Sequence, residues 1–289
     1  MTAAVLAGKV AIVTGAARGQ GRSHAVRLAE EGADIIAVDI CEQLDAASYP
    51  MSTPDDLEET ACRVRALGRR IVTGIADVRD RPGLAKAVAT GVAELGHLEI
   101  VVANAGICSI GSEFPATAFT EVISVDLVGV INTVDVCLPH LRAGASIVCT
   151  GSMAAMLTGL VDNPKTGVGA AGYSHAKRGV ARFVHDAALN LARFSIRVNA
   201  IHPGNIDTPM LQNDAMYRLF RPDLDNPAAT DVQAAFGVSH RLPVETIPPR
   251  DISEAVLFFA SDASRYVTGQ QLSVDAGGVL AQTTSGAPM

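Results

Sequence analysis

A short apolar strand that runs into a glycine-rich turn and then a helix constrains this chain more than any other feature. Val10–Thr14 (VAIVT) is typical of a strand buried on both faces of a parallel sheet. Glycines follow at once, and Arg22–Glu31 has the periodicity of a helix with an Ala/Leu face. Such glycines let backbone approach a pyrophosphate, and the helix N-terminus offers free N–H groups and a positive dipole. The turn therefore predicts a dinucleotide site formed by Gly15, Arg18, Gly19, Gln20 and Gly21.

The alternation of strand and helix continues along the chain. Further strands are predicted at 34–38, 70–76, 99–103, 145–150, 197–201 and 271–274, and helices at 53–67, 82–95, 119–141, 172–194 and 251–261. This order predicts a parallel sheet with helices on both faces. We expect one α/β domain over residues 1–289, a Rossmann-type doubly wound fold with a central parallel sheet of about seven strands.

The predicted second strand ends in a carboxylate, Asp39. A carboxylate there can accept hydrogen bonds from the ribose 2′-hydroxyl and repels a 2′-phosphate, which favours NAD over NADP. Arg18 in the glycine turn argues the other way, because a guanidinium pairs well with a 2′-phosphate. No Arg or Lys follows Asp39, where Ile40 and Cys41 stand, so the predicted cofactor is NAD.

Other polar or turn-forming residues follow the later strands. They include Asp77, Asn104, Ser152 and Pro203. Because ligands of doubly wound sheets bind beyond the carboxyl ends of the strands, we expect these residues to meet at one edge.

Tyr173 and Lys177 form a Tyr-x-x-x-Lys pair on a predicted helix. Residues four apart share one helix face, so the ammonium can lie near the phenol and lower its pKa by favouring the phenolate. The pair therefore predicts a general base that works near neutral pH, where an ordinary tyrosine is protonated.

Taken together, these features resemble the short-chain dehydrogenase/reductase family, and the likeness runs from Val10 to Gly278. The glycine pattern, Asp39 and the long segment after it resemble the carveol dehydrogenase-like, mycofactocin-associated subgroup. Members of that subgroup are NAD-dependent and oxidise secondary alcohols. The motifs that carry the likeness are Thr14–Gly21, Asn104-Ala105-Gly106, Ser152, Tyr173 with Lys177, and Pro203-Gly204.

The resemblance implies a role for each motif. Tyr173 would take the hydroxyl proton, Lys177 would lower its pKa and bind the nicotinamide ribose, and Ser152 would orient the substrate oxygen. It also implies a homotetramer. The implied cofactor contacts are Ile40 beside Asp39, Asp77 and Val78 at the adenine, Asn104, Ala105 and Gly106 under the adenosine ribose, and Pro203, Gly204, Ile206 and Thr208 over the nicotinamide amide.

Two departures from the family pattern stand out. Asp126 occupies the position of the family's fourth catalytic residue, an Asn, whose main-chain carbonyl holds a water in a proton relay. Asp keeps that carbonyl and adds a charge near Lys177, so we expect catalysis to survive with a shifted pH optimum. The segment between Ser152 and Tyr173 is also longer than usual, and its excess, 157–171, should alter the rim of the substrate pocket.

Two further segments have predicted roles. The 40–53 segment lacks periodicity and would lie near the adenosine, where it could slow cofactor release. The 205–249 segment is predicted to be irregular, with one short helix near 215–220, and to cover the substrate.

The composition and charge of the chain limit the kinds of partner and ligand that we expect. The net charge of −7 with no basic run argues against nucleic acid, and the longest weakly polar run, 145–160, is too short to span a membrane. Seven histidines lack metal-ligand spacings, so no metal site is predicted. An odd number of cysteines, five, without a Cys-x-x-Cys pair, and the absence of a basic flank at the N-terminus favour a cytoplasmic protein with reduced thiols.

These observations favour an NAD-dependent enzyme that interconverts a secondary, apolar, cyclic, carveol-like alcohol and its ketone. The alternatives are an NADPH-dependent ketone or 3-oxoacyl reductase, supported by Arg18, and a non-catalytic dinucleotide sensor, suggested by Asp126. The substrate prediction depends on the subgroup and on apolar residues around the pocket: Met153, Met156, Leu157, Met210, Leu211, Met216, Leu219 and Phe220.

Overall fold

The structure, a computed structural model, describes residues 4–157 and 166–283. Its centre is a seven-stranded, fully parallel sheet in the order β3-β2-β1-β4-β5-β6-β7. The strands are β1 (Val10–Thr14), β2 (Asp34–Asp39), β3 (Ile71–Ile75), β4 (Ile100–Ala103), β5 (Ser146–Thr150), β6 (Arg197–Pro203) and β7 (Gln271–Val274). The predicted doubly wound parallel fold is confirmed.

Helices cover both faces of this sheet. They are α1 (Gly19–Glu30), α2 (Pro54–Ala66), α3 (Arg81–Leu95), α4 (Thr117–Ile123), α5 (Gly129–Cys137), α6 (Gly167–Leu191), α7 (Asp214–Phe220), α8 (Ala229–Val238), α9 (Pro249–Ala260) and α10 (Gly278–Thr283). Within the described part of the chain, single 3₁₀ turns lie at Leu138–His140, Met153–Ala155, Ala192–Phe194 and Asp262–Ser264.

The central strands are apolar along their whole length because helices cover both sides. Every residue of β1, β2, β4 and β5 is buried. The side chains of alternate residues point to opposite faces of the sheet. Ile12 packs in the core under α3, α5 and α6, whereas Val13 packs in the core under α1 and α9. The reversal of strand order between β1 and β4 opens a crevice at their carboxyl ends.

The helix predicted at 119–141 is continuous from Thr117 to His140, and it contains a π-helical segment, Ser124–Val128, between α4 and α5. By length and composition alone this stretch could cross a membrane, with a mean hydropathy of 1.7. Half of it is buried inside the domain, where α4 packs on α6 and α5 packs on α3. Its apolar composition is therefore that of a core helix.

Three predictions about helices were wrong. First, α6 begins at Gly167 rather than Gly172, so Tyr173 lies in its second turn and not at its start. Second, α9 begins at Pro249, after Pro248, rather than at Asp251, and Glu254 in its first turns pairs with Arg27 and Arg250.

Third, the predicted irregular 205–249 segment contains α8 in addition to α7, and α10 was not predicted. By contrast, the helix predicted at 53–67 is present as α2, and Thr53 caps it in a capping box with Asp56. Of the 157–171 segment, residues 158–165 lie outside the described part of the chain.

Candidate active site

One cleft runs along the carboxyl edge of the sheet and gathers nearly all of the predicted site residues. Its lining includes Ser152, Tyr173 and Lys177 together with the glycine turn and the other strand-end residues. Asp126 is the exception, because it lies beneath the cleft floor rather than in its lining. The predicted cofactor contacts in the lining are Gly15, Arg18, Gly19, Gln20, Gly21, Asp39, Ile40, Asp77, Val78, Asn104, Ala105, Gly106, Pro203, Gly204, Ile206 and Thr208.

The glycine turn has the shape that its sequence predicts. Gly15 and Gly19 have φ values of +69° and +55°, a region that side chains rarely adopt. A Cβ at Gly21 would lie 1.9 Å from the carbonyl oxygen of Gly15, so only glycine fits. Arg18, the N-cap residue of α1, makes no side-chain capping bond. The positive end of α1 therefore faces the cleft without a capping side chain, as an anion site requires.

Asp39 lies at the rim of this turn and is buried. Its Oδ2 accepts from the backbone N–H of Ala17 at 2.9 Å, and its Oδ1 accepts from Cys41 N–H at 3.1 Å and from Ser52 Oγ at 2.7 Å. These three donors hold the carboxylate in one orientation. Two carboxylate oxygens have room for about four hydrogen bonds in all, so the group can still accept a bond from the cleft.

The 40–53 segment folds over the cleft and adds residues that the sequence did not identify. Tyr49 is buried, lines the cleft and accepts a hydrogen bond at its hydroxyl from Cys108 N–H at 3.4 Å. Arg18 lies over the Tyr49 ring at 5.8 Å from its centroid. Ser52 completes the cradle of Asp39. The segment thus joins the glycine turn to the far end of the cleft.

Asn104 ties the strand ends together. Its side chain donates to Thr14 O at 3.0 Å and accepts from Thr150 Oγ1 at 3.2 Å, which links β4 to β1 and β5. Thr208, after β6, reaches the glycine turn, since a Cβ on Gly19 would lie 3.4 Å from its methyl group. These contacts close the cleft around the position where a pyrophosphate would lie.

Ser152, Tyr173 and Lys177 lie together at the deep end of the cleft. The hydroxyl of Ser152 acts on the phenol of Tyr173 and lowers the pKa of that phenol. The Nζ of Lys177 lies 5.4 Å from the centroid of the Tyr173 ring and donates to Thr150 O at 3.2 Å. The arrangement provides a phenol, an ammonium and a hydroxyl around one point, as a general acid–base site requires.

Asp126 forms a buried ion pair with Lys177. Its Oδ2 lies 3.1 Å from Lys177 Nζ, and its Oδ1 accepts from Ile107 N–H at 2.8 Å. The side chains of Asp126 and Lys177 are 0% and 4% exposed. Burial raises the pKa of the Asp126 carboxyl, and the charge of Lys177 and the bond from Ile107 oppose that shift. Asp126 stands in the π-helical segment, a distortion that is common at functional sites.

The expected lowering of the Tyr173 pKa by Lys177 is wrong for the protein alone. Burial raises the pKa of the Tyr173 phenol well above its ordinary value, Cys108 and Asp126 raise it further, and the bond to Ser152 opposes them. The main reason is burial of the phenol, to which the Asp126 carboxylate adds, and the Tyr-x-x-x-Lys spacing reveals neither.

The pocket beside Tyr173 is apolar. Cys108, Ile110 and Ala170 form a buried cluster against which Tyr173, Met210 and Met216 pack. Burial raises the pKa of the Cys108 thiol to about 12, so the thiol is uncharged where it lines the pocket. Met153 and Leu211 also line the cleft.

Three other predicted pocket residues lie elsewhere. Met156 is exposed, and Leu157 is buried outside the cleft lining. Phe220 packs edge-on against Phe236 at 4.8 Å. Among the described residues, no group of His, Cys, Asp or Glu side chains is placed to hold a metal ion.

This chain is similar to known proteins along nearly its whole length. The family model described as enoyl-(acyl carrier protein) reductase matches residues 15–278. The (−)-trans-carveol dehydrogenase of Rhodococcus erythropolis is 44% identical, over 94% of this chain and 98% of its own.

Two solved structures have the same architecture. Carveol dehydrogenase from Mycobacterium avium in complex with NAD is 48% identical, with a TM-score of 0.90 over 96% of this chain and 99% of its own. A short-chain dehydrogenase from Mycobacterium paratuberculosis bound to NAD is 39% identical, with a TM-score of 0.84 over the same shares of the two chains.

Proposed function

This chain belongs to the short-chain dehydrogenase/reductase family, and we propose that it is an NAD-dependent alcohol dehydrogenase with Tyr173 as its general base. The observation that carries the proposal is the meeting of Tyr173, Lys177 and Ser152 at the end of a cleft built for a dinucleotide. An enzyme of this kind oxidises a secondary alcohol to a ketone, or runs in reverse.

The residues of the cleft fit NAD. The uncapped start of α1 and the glycines would hold the pyrophosphate. Asp39 would accept from the ribose hydroxyls and repel a 2′-phosphate. Arg18, which favoured NADP in the sequence, is stacked on Tyr49. Both relatives of solved structure named above contain NAD.

When bound, NAD⁺ supplies the hydride acceptor and a positive charge close to the phenol. Ser152 holds the substrate oxygen, and Tyr173 takes the proton of its hydroxyl group while the carbinol carbon gives up a hydride. Lys177 would hold the nicotinamide ribose of the cofactor and stabilise the phenolate. The alcohol loses a hydride and, to Tyr173, a proton, so the products of the step are a ketone, the reduced cofactor and one proton.

The substrate proposal follows from the chemistry of the pocket. Sulfur and aliphatic side chains surround Tyr173, and Cys108 is neutral. Such walls favour an apolar body, and the resemblance to carveol dehydrogenases favours a cyclic one. Residues 205–249, with α7 and α8, would act as the substrate lid, and residues 157–171 as part of the pocket rim.

The main rival is a ketone or acyl-thioester reductase, the activity that the description of the matching family model names. The net charge of −7 disfavours docking of an acidic carrier protein. A non-catalytic sensor would not need the phenol, ammonium and hydroxyl groups together. We also propose that the protein is cytoplasmic and acts as a homotetramer, with no nucleic acid partner.

The role of the Asp126 carboxylate can be tested with Asp126→Asn, which restores the residue usual in the family. Asp126 raises the pKa of Tyr173. Its removal should lower that pKa, so the rise of kcat with pH in the oxidation direction should move to lower pH by roughly one unit. Profiles for oxidation of a cyclic secondary alcohol would measure the shift, and identical profiles would remove any role for the carboxylate.

The 40–53 segment should slow the release of NAD. We expect purified protein to retain NAD through gel filtration, and Tyr49→Ala to raise the dissociation rate about tenfold through loss of the ring that packs on Arg18. Tyr266→Ala is the matched control, because Tyr266 is 90% exposed. Ready loss of NAD from the unaltered protein on dilution would contradict this role.

A further inference from the structure

A buried histidine that takes no part in the proposed chemistry contacts the backbone of Ser152. His202, in β6, is fully buried, and its Nδ1 lies 3.2 Å from Ser152 N and 2.9 Å from Ser152 O. A Cβ at Gly151 would come within 2.4 Å of the ring. The residue before Ser152 must therefore lack a side chain for the imidazole to lie against this peptide.

A second side chain determines which nitrogen of the ring carries the proton. His202 Nε2 lies 2.6 Å from Gln271 Oε1 in β7, and the Gln271 amide nitrogen donates to Ala181 O at 3.1 Å. Because that nitrogen must face a carbonyl, Oε1 faces the histidine and accepts from Nε2–H. In the neutral ring Nδ1 is then unprotonated and accepts the N–H of Ser152 at 3.2 Å, and its 2.9 Å approach to Ser152 O is a contact between two acceptors rather than a hydrogen bond.

We propose that His202 is a positioning residue for Ser152, and that Gln271 selects the tautomer with which it does so. This rests on the proposed function, in which the Ser152 hydroxyl orients the substrate oxygen. The hydrogen bonds run from Ala181 in α6 through β7 and β6 to Ser152. Since α6 also carries Tyr173, the chain of bonds fixes the separation of the hydroxyl group from the phenol.

Protonation of His202 would reverse the polarity of this contact. Both ring nitrogens would then donate, Nδ1 could bond only to Ser152 O, and Ser152 N–H would lose its acceptor. The charged groups that act on the ring are Lys177 from α6 and Asp275 after β7. Burial lowers the pKa of His202, while the bonds to Gln271 and Ser152 and the charge of Asp275 oppose that. The neutral form thus prevails near neutral pH.

The discriminating variant is Gln271→Glu, which places a carboxylate on Nε2. An opposite charge at this distance should raise the pKa of His202 by roughly one to three units. The acid limb that His202 sets, a second fall of kcat at a pH below the rise set by Tyr173, should move up by the same amount. Gln270→Glu adds the same charge on the exposed neighbouring residue and should leave the limb in place. His202→Asn in the Gln271→Glu background should abolish the movement.

Removal of the ring tests the contact without a change of charge. His202→Leu offers no acceptor to Ser152 N–H, and we expect kcat to fall about tenfold to a hundredfold with NAD affinity unchanged. His202→Asn places a carbonyl near the position of Nδ1 and should recover part of the loss. A kcat for His202→Leu equal to that of the unaltered protein would overturn the proposal.

Nitrogen-15 NMR of the cofactor-free protein gives a readout that does not depend on turnover. The resonance that disappears in His202→Asn should show the Nε2–H tautomer, and an Nδ1–H tautomer would overturn the proposal. So would a Gln271→Glu protein in which the His202 pKa rises but the acid limb stays. If the unaltered protein oxidises no alcohol, the proposed function is contradicted instead. The tautomer of His202 would then still show whether its Nδ1 accepts from Ser152 N–H.

Discussion

Tyr173→Phe should lower kcat for alcohol oxidation by about 10³-fold and leave the affinity for NAD almost unchanged, because it removes the proton acceptor and no other group. Tyr173 lines the cleft beside Ser152 and Lys177. The ring of Phe keeps the packing against Cys108 and Met210, so the fold should persist. The measurements are steady-state oxidation of a cyclic secondary alcohol and binding of NAD by titration calorimetry.

The control for this variant is Tyr266→Phe, since Tyr266 is exposed and far from the chemistry. It should match the unaltered protein in both measurements. Retention of kcat within about tenfold in Tyr173→Phe would place the general base elsewhere. If the unaltered protein and both variants bind NAD equally but none of them oxidises the alcohol, the non-catalytic sensor is favoured.

Asp39→Asn should reduce the preference for NAD over NADP by about 10²-fold in kcat/KM, because the charge that repels a 2′-phosphate is lost. The amide also cannot accept at both positions, and its Nδ2 would face a donor, either Ala17 N–H or the pair formed by Cys41 N–H and Ser52 Oγ. Affinity for NAD should therefore fall as well. Competition of the two cofactors in a single reaction measures the ratio.

Asp45→Asn is the matched control for the loss of charge. Asp45 is exposed on the same 40–53 segment and lies outside the cleft lining. It changes the net charge equally, so it should leave the cofactor ratio unchanged. A preference for NADP in the unaltered protein would contradict the role given to Asp39.

The parts of this protein that follow from the sequence are those set by local rules. Glycines directly after an apolar strand predict the turn, and the structure gives Gly15 and Gly19 the positive φ that such a turn needs. The position of Asp39 at the end of the next strand predicts its place at the rim of the turn. The alternation of strands and helices predicts the sheet, whose parallel order then places Ser152 at the same edge.

The parts that the sequence did not reveal depend on distant residues. Tyr49 comes from a segment without periodicity, and its position depends on Arg18 and Cys108. Ion pairing between Lys177 and Asp126 joins two helices. Burial of the phenol, together with the charge of Asp126, raises the pKa of Tyr173 rather than lowering it.

The sequence also did not reveal the role of His202. That histidine belongs to no motif, and its partner Gln271 is 69 residues away in the chain. Ser152 is the third member of that contact, and its own position at the end of β5 was predictable. What the sequence lacked was the side-chain geometry that turns neighbours into a network.

The most direct test of the proposed function is transfer of deuterium from a labelled alcohol. Purified protein would receive a cyclic secondary alcohol that carries deuterium at its carbinol carbon, together with NAD⁺. We expect deuterium in the reduced nicotinamide, a ketone product, and loss of both in Tyr173→Phe. Reduced cofactor without deuterium, or transfer that requires NADP⁺, would contradict it.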